Sequence, residues 1–100
     1  MFRIEYSRRA KVDVEEIGLR IEADRGESAA AAYLAAMREK IGTLSEMPRR
    51  TRERTEIGPG QHALILGPYL VFYKVIGNEV VYIQRVIRGS RPIKAGMLKD

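Results

Sequence analysis

Arg85, Arg88 and Arg91 close the last strand-like run of this 100-residue chain. Guanidinium groups bind phosphate or carboxylate through paired N–H donors and stabilise negative charge. They do not shuttle protons, because arginine stays protonated at ordinary pH. In a straight strand Arg85 and Arg88 fall on opposite faces, and only a bend at Gly89 would bring them to one site. The same residues also suit a solubilising strand end. A second basic run, Arg49, Arg50, Arg52 and Arg54, stands before the strands. It reads either as a solvated connector or as a phosphate-contacting surface without sequence preference.

Other reactive groups are few. His62 is the single histidine and there is no cysteine. One histidine without an H-E-x-x-H spacing does not make a metal site, so no metal and no cofactor is expected. At the start of a strand His62 reads as a surface residue. Tyr69, Tyr73 and Tyr82 fall in strands and read as half-buried residues with wet hydroxyls rather than base-stacking platforms. Ser7, Ser28, Ser45 and Ser90 have no G-x-S-x-G context, and the glycines mark turns rather than a phosphate loop.

The charge is one-sided. Residues 1–46 carry 8 Lys and Arg against 9 Asp and Glu, whereas residues 47–100 carry 10 against 4. The net +5 therefore lies in the second half. A one-sided field steers an acidic protein or a nucleic acid towards that half. The longest uncharged, mostly apolar run, Ser28 to Met37, falls well short of the ~20 residues that span a bilayer. The N-terminus, MFRIEYSRRA, lacks a signal-peptide core. A cytoplasmic protein with no membrane partner is expected.

Local patterns supply the elements that must position these groups. Phe2–Tyr6 alternates apolar and charged residues, as a half-buried strand does. Ser7 suits a helix N-cap, and Ala10, Val14, Ile17 and Ile21 then form one helical stripe that Gly26 ends. Ser28 suits a second cap. Ala30, Tyr33, Leu34, Met37, Ile41 and Leu44 form the next stripe, which Pro48 bars from continuing. So short a link makes the two helices an antiparallel hairpin. Ala63–Leu66, Leu70–Ile76 and Val80–Ile87 read as strands, parted by two-residue turns at Gly67-Pro68 and Gly77-Asn78. The predicted class is α+β. An N-terminal strand, an antiparallel helix hairpin and a three-stranded antiparallel meander form a single domain over residues 1–100, with the helices on one face of a small sheet. Strict alternation leaves open which face of the last strand is inside: Val81, Ile83 and Ile87 share a face with Arg85, and Val80, Tyr82 and Val86 share one with Arg88.

This layout resembles the RelE/ParE superfamily of toxins from type II toxin–antitoxin modules. The matching stretches are Tyr6-Ser7-Arg8-Arg9-Ala10, the helix exit Ile41, Leu44 and Pro48, the strand Tyr69-Leu70-Val71-Phe72-Tyr73, and Arg85 to Arg91. The resemblance covers nearly the whole chain through the order and spacing of these stretches. It implies a growth-arresting toxin that a cognate antitoxin neutralises in a hetero-oligomer. RelE-like members cut messenger RNA on the ribosome. ParE-like members inhibit DNA gyrase by trapping it on cleaved DNA.

Residue chemistry chooses between the two. Cleavage by a neighbouring 2′-OH needs one group to take a proton and another to give one. Many RelE-like nucleases hold a His near the end of the last strand or a Tyr in the tail. Here Arg88 stands at that strand position, and Pro92 to Asp100 contains neither residue type. The expectation is a ParE-like binding inhibitor of gyrase. The alternatives are a ribosome-dependent endoribonuclease using Lys74 or Lys94, and a degenerate toxin that only binds antitoxin. Target contacts are expected at Arg85, Arg88, Arg91, Arg52 and Arg54. Antitoxin contacts are expected at Ile17, Ile21, Tyr33, Met37 and Tyr73.

Overall fold

A computed structural model of the chain describes residues 1–90 and residue 98. Strand β1 (Arg3–Tyr6) leads into helix α1 (Arg8–Arg25) and helix α2 (Glu27–Gly42). A single 3-10 turn, Thr43–Ser45, ends the helical half. Strands β2 (His62–Leu66), β3 (Tyr69–Ile76) and β4 (Val80–Arg88) follow. They pair antiparallel, as the sequence predicts, and β1 adds to β4 in parallel, giving one mixed sheet of order β1-β4-β3-β2. Among the described residues no helix is long and apolar enough to cross a membrane.

Ser7 caps α1 by accepting from the Ala10 N–H at 2.9 Å. It also ties that helix start to the sheet, because its hydroxyl donates to the Gln84 carbonyl at 2.8 Å and its N–H donates to the Ile83 carbonyl. The apolar stripe of α1 then faces β4. Gly26 serves two helices, ending α1 with φ 95° and opening α2. Ser28 is therefore not a cap but lies inside α2, since the chain needs no residue between Gly26 and Glu27 to turn. The helices approach closely at Gly18, where an added Cβ would stand 2.8 Å from the Leu34 Cδ1.

The main core lies between the helix hairpin and one face of the sheet. Ile41, Leu44, Val71, Tyr73, Val81 and Ile83 are its largest fully buried side chains. The opposite face is not bare. Ala63, Phe72 and Ile87 are buried there under Ile57, Leu70 and Leu98. The link between β3 and β4 is three residues, 77–79, rather than two; Gly77 takes the positive φ and Asn78 does not.

One irregularity decides what each face of β4 carries. Phe72 pairs with Arg85 but Tyr73 pairs with Ile83, so Gln84 is an extra residue, a β-bulge. Before it, Val81 and Ile83 face the helices; after it, Val86 does and Ile87 faces away. The bulge therefore swaps parity, and both sets that strict alternation kept apart are partly inside.

Candidate functional site

The bulge delivers Arg88 to the helix side of the sheet. Cross-strand rows on that face run Leu64–Val71–Val86 and then Leu66–Tyr69–Arg88. The second row is the last before the β2–β3 turn. Gly67 takes φ 56° in that turn, and the Gly89 N–H donates to the Pro68 carbonyl at 2.8 Å, which stitches the β4 exit to it. Arg88 is exposed, and its guanidinium carbon lies 5.7 Å from the centre of the Tyr69 ring. Tyr33 of α2 meets the same ring edge-on at 6.3 Å. Burial raises the pKa of the Tyr33 phenol; nearby Tyr69 adds to that, while Arg88 and Arg25 oppose it.

Two clefts flank this aromatic pair. On the α1 side a cleft of 220 Å³ is lined by Glu16, Ile17, Arg20, Tyr69, Arg88 and Ser90, among others. On the α2 side a nearly all-apolar cleft of 250 Å³ is lined by Tyr33, Ala36, Met37, Lys40, Leu66 and Gly67. Arg20, Lys40 and Arg88 are exposed at the rims.

Arg85 does not join them. It is 5% exposed, so its guanidinium is not a contact surface for a macromolecule. Its Nε donates to Asp13 Oδ2 at 2.7 Å and its Nη2 to Asp13 Oδ1 at 3.0 Å. The Val86 N–H donates to the same carboxylate at 2.9 Å. The hydrogen bonds that Arg85 donates to Asp13 raise its pKa against the opposing effect of burial. This pair clamps α1 to the strand just past the bulge, where the ladder is broken, and so fixes the segment that presents Arg88. Nothing in the spacing of Asp13, 72 residues away, announces it.

Arg52 and Arg54 stand at the far end of the sheet. The Arg54 N–H donates to the Gln61 carbonyl, next to the His62–Tyr73 pair. Tyr73 is four residues along β3 from Tyr69, roughly 13 Å. Glu56 accepts from Arg54 Nε at 2.7 Å and from Arg52 Nη2 at 3.4 Å. The Arg54 hydrogen bond, with its own backbone and Arg52 contributing, lowers the Glu56 pKa to about 2. The structure thus places these two arginines away from Arg88 and already paired. Arg91 lies outside the described residues.

His62 is buried, not superficial. Its ring stacks on Tyr73 with centres 5.2 Å apart, and Nδ1 is 3.1 Å from both the Thr51 carbonyl and the Thr51 hydroxyl. The Tyr73 hydroxyl donates to the Pro48 carbonyl at 2.9 Å and meets the Thr51 hydroxyl at 2.9 Å. Burial raises the Tyr73 pKa, which keeps that donor protonated. Gln61 completes the network by donating to Gln84 Oε1 at 2.6 Å. These groups fasten the loop after α2 to the sheet. Of the expected antitoxin contacts, Ile17, Met37 and Tyr73 are buried, whereas Ile21 and Tyr33 are half-buried. Tyr73 is wholly enclosed, so it offers no surface. Ile17 and Met37 still line the two clefts.

A helix hairpin on a four-stranded mixed sheet, with a basic aromatic end, defines a small α+β toxin of the RelE/ParE superfamily. The family described as "ParE toxin of type II toxin-antitoxin system, parDE" matches residues 4–93. The chain belongs to that family, as a ParE-family toxin of a type II toxin–antitoxin system. It is 27% identical over 99 residues to Toxin ParE3 of Caulobacter vibrioides, covering 99% of this chain and 98% of the relative. Its fold is similar to that in the chromosomal ParDE system of P. aeruginosa, with a TM-score of 0.76 at 23% identity, over 88% of this chain and 96% of the other. It is also similar to a chain of the toxin–antitoxin complex RelBE2 of Mycobacterium tuberculosis. There the TM-score is 0.63 at 25% identity, over 87% and 96%.

Proposed function

We propose that this toxin arrests growth by binding DNA gyrase through the end of the sheet that carries Arg88, and that a cognate antitoxin neutralises it. The observation that carries the reading is the sorting of side chains along the sheet. Arg88 and Arg20 face outward at one end. His62, the single histidine, and Tyr73 are enclosed roughly 13 Å away in hydrogen bonds to the loop. An exposed guanidinium grips an anionic or acidic surface without proton transfer. That suits an inhibitor whose target performs the DNA chemistry.

Family membership over residues 4–93 supports the reading. The antitoxin partner is supported by the likeness to the ParDE system of P. aeruginosa and to the toxin–antitoxin complex RelBE2 of Mycobacterium tuberculosis. The test is to add the purified chain to a gyrase supercoiling reaction and, separately, to translating ribosomes. Supercoiling is expected to stop while messages stay intact. Codon-phased message cleavage with gyrase unaffected would overturn the proposal and favour the endoribonuclease.

A further inference from the structure

The helix hairpin has an outer face that packs on nothing in the fold. Ala10, Val14 and Ile17 of α1 are turned to the sheet. The opposite row, at helical spacings of four, three, four and three, is Arg8, Val12, Glu15, Leu19 and Glu22. The adjoining row on α2 is Glu27, Ala31, Leu34 and Arg38. Between the rows runs a groove of 380 Å³, with Glu15, Glu22 and Glu27 around Leu19, Ala31 and Leu34. Leu19 is 66% exposed there. We infer that two copies of this chain pair through this face, hairpin against hairpin, antiparallel about a two-fold axis.

The order of charges selects a second copy as the occupant. Glu22 and Glu27 lie at the end of the face where the hairpin turns, and Arg8, Lys11 and Arg38 lie towards the other end. A two-fold axis near the middle sets the acidic end of each copy on the basic end of the other, with Leu19 against Val12. The helix dipole favours the same arrangement. The first turn of α1 begins Arg8-Arg9 and holds no acidic residue, the reverse of what a helix N-terminus prefers. Carboxylates of an antiparallel copy supply the missing charge. Residues 1–46 carry 8 basic against 9 acidic side chains, so this half of the chain does not repel its twin. An acidic peptide, by contrast, would meet Glu15, Glu22 and Glu27. Two helices about 27 Å long, side by side at about 10 Å, offer roughly 540 Å² per copy. That is less than the about 800 Å² per partner of a standard interface, so the dimer is weak and salt-sensitive.

Sedimentation equilibrium of the full chain alone tests this, with neither gyrase nor antitoxin present. A monomer–dimer equilibrium with Kd in the micromolar-to-millimolar range is expected, weakening as salt rises from about 0.1 M to about 1 M. Leu19→Glu is expected to leave only monomer. Arg8→Glu and Glu22→Arg are each expected to weaken pairing by about tenfold or more, since the two-fold axis makes every substitution act twice. An equimolar mixture of these two variants is expected to pair again, because each supplies the charge that the other has lost. All three sites are exposed, and circular dichroism confirms that each variant is folded. Wild-type protein that stays monomeric at millimolar concentration overturns the inference. So does a dimer that survives Leu19→Glu, or a mixture no more associated than its parts.

Discussion

The two ends of the helix-facing side of the sheet solve opposite problems. At the His62–Tyr73 end, His62 Nδ1 and the Tyr73 hydroxyl are held by loop atoms of Pro48 and Thr51. At the Leu66–Tyr69–Arg88 end the row runs out from under the helices, and its cation rests on an aromatic face with solvent beyond. The closed end contains the residue types associated with catalysis and uses them as fasteners. The open end presents Arg88, which cannot exchange protons, and leaves it available. Reactive residue type is thus a poor guide here, and accessibility a better one. The two ends are joined mechanically by the bulge at Gln84. That residue hydrogen-bonds into the closed-end network, while Arg85 and Val86 beyond it are held by Asp13.

The strongest way to break this division is to cut the joint. Asp13→Ala leaves Arg85 buried beside an empty carboxylate position and frees the Val86 N–H. Losing one member of a buried pair costs about 3–5 kcal/mol, which is a large part of a small domain's stability. Urea unfolding should show a mostly unfolded or severely weakened protein. A midpoint near wild type would mean that the clamp is not what holds β4 on α1. Next in size is the closed end. Tyr73→Phe removes the donor to Pro48 and should cost about 1–2 kcal/mol in the same assay, with gyrase inhibition retained by the folded fraction.

The open end should behave in reverse. Arg88→Ala loses an exposed cation–π contact, so stability should change by less than about 1 kcal/mol. Supercoiling inhibition should nevertheless fall sharply. The smallest effect concerns Glu56, whose pKa is lowered to about 2 from an ordinary 4.5. A depressed carboxylate stabilises the fold above the ordinary value and loses that contribution as pH falls through about 2. Glu56 is exposed, so Glu56→Gln should only slightly flatten the urea midpoint between pH 4.5 and 2. A large change would mark the Arg52–Arg54 loop as more than a solvated connector.

Most of the architecture was legible because it is written in local periods. The Ala10–Ile21 stripe, the alternation of Phe2–Tyr6 and the turn glycines each specify an element within a few residues. The site was legible in part. Arg88 at the strand end is exposed, as its position suggests, and Tyr33, Met37 and Ile17 line the clefts beside it. Arg85 was misplaced because its partner is 72 residues distant and because one extra residue in β4 breaks the alternation used to assign faces. The burial of His62 is not legible locally, because it depends on pairing with Tyr73 and on the loop from Pro48 to Thr51. Neither contact follows from the residues around it. The pairing of Arg52 with Glu56 was readable, since the two are four apart in a highly charged run, but the run was judged only by its sign.

The central claim is that the open end, not the closed one, carries the toxic action. Gyrase supercoiling should be measured side by side with folded Arg88→Ala and folded Tyr73→Phe at matched concentrations. The account predicts that the first leaves supercoiling intact and the second still abolishes it. Full inhibition by Arg88→Ala together with an inert Tyr73→Phe would contradict it.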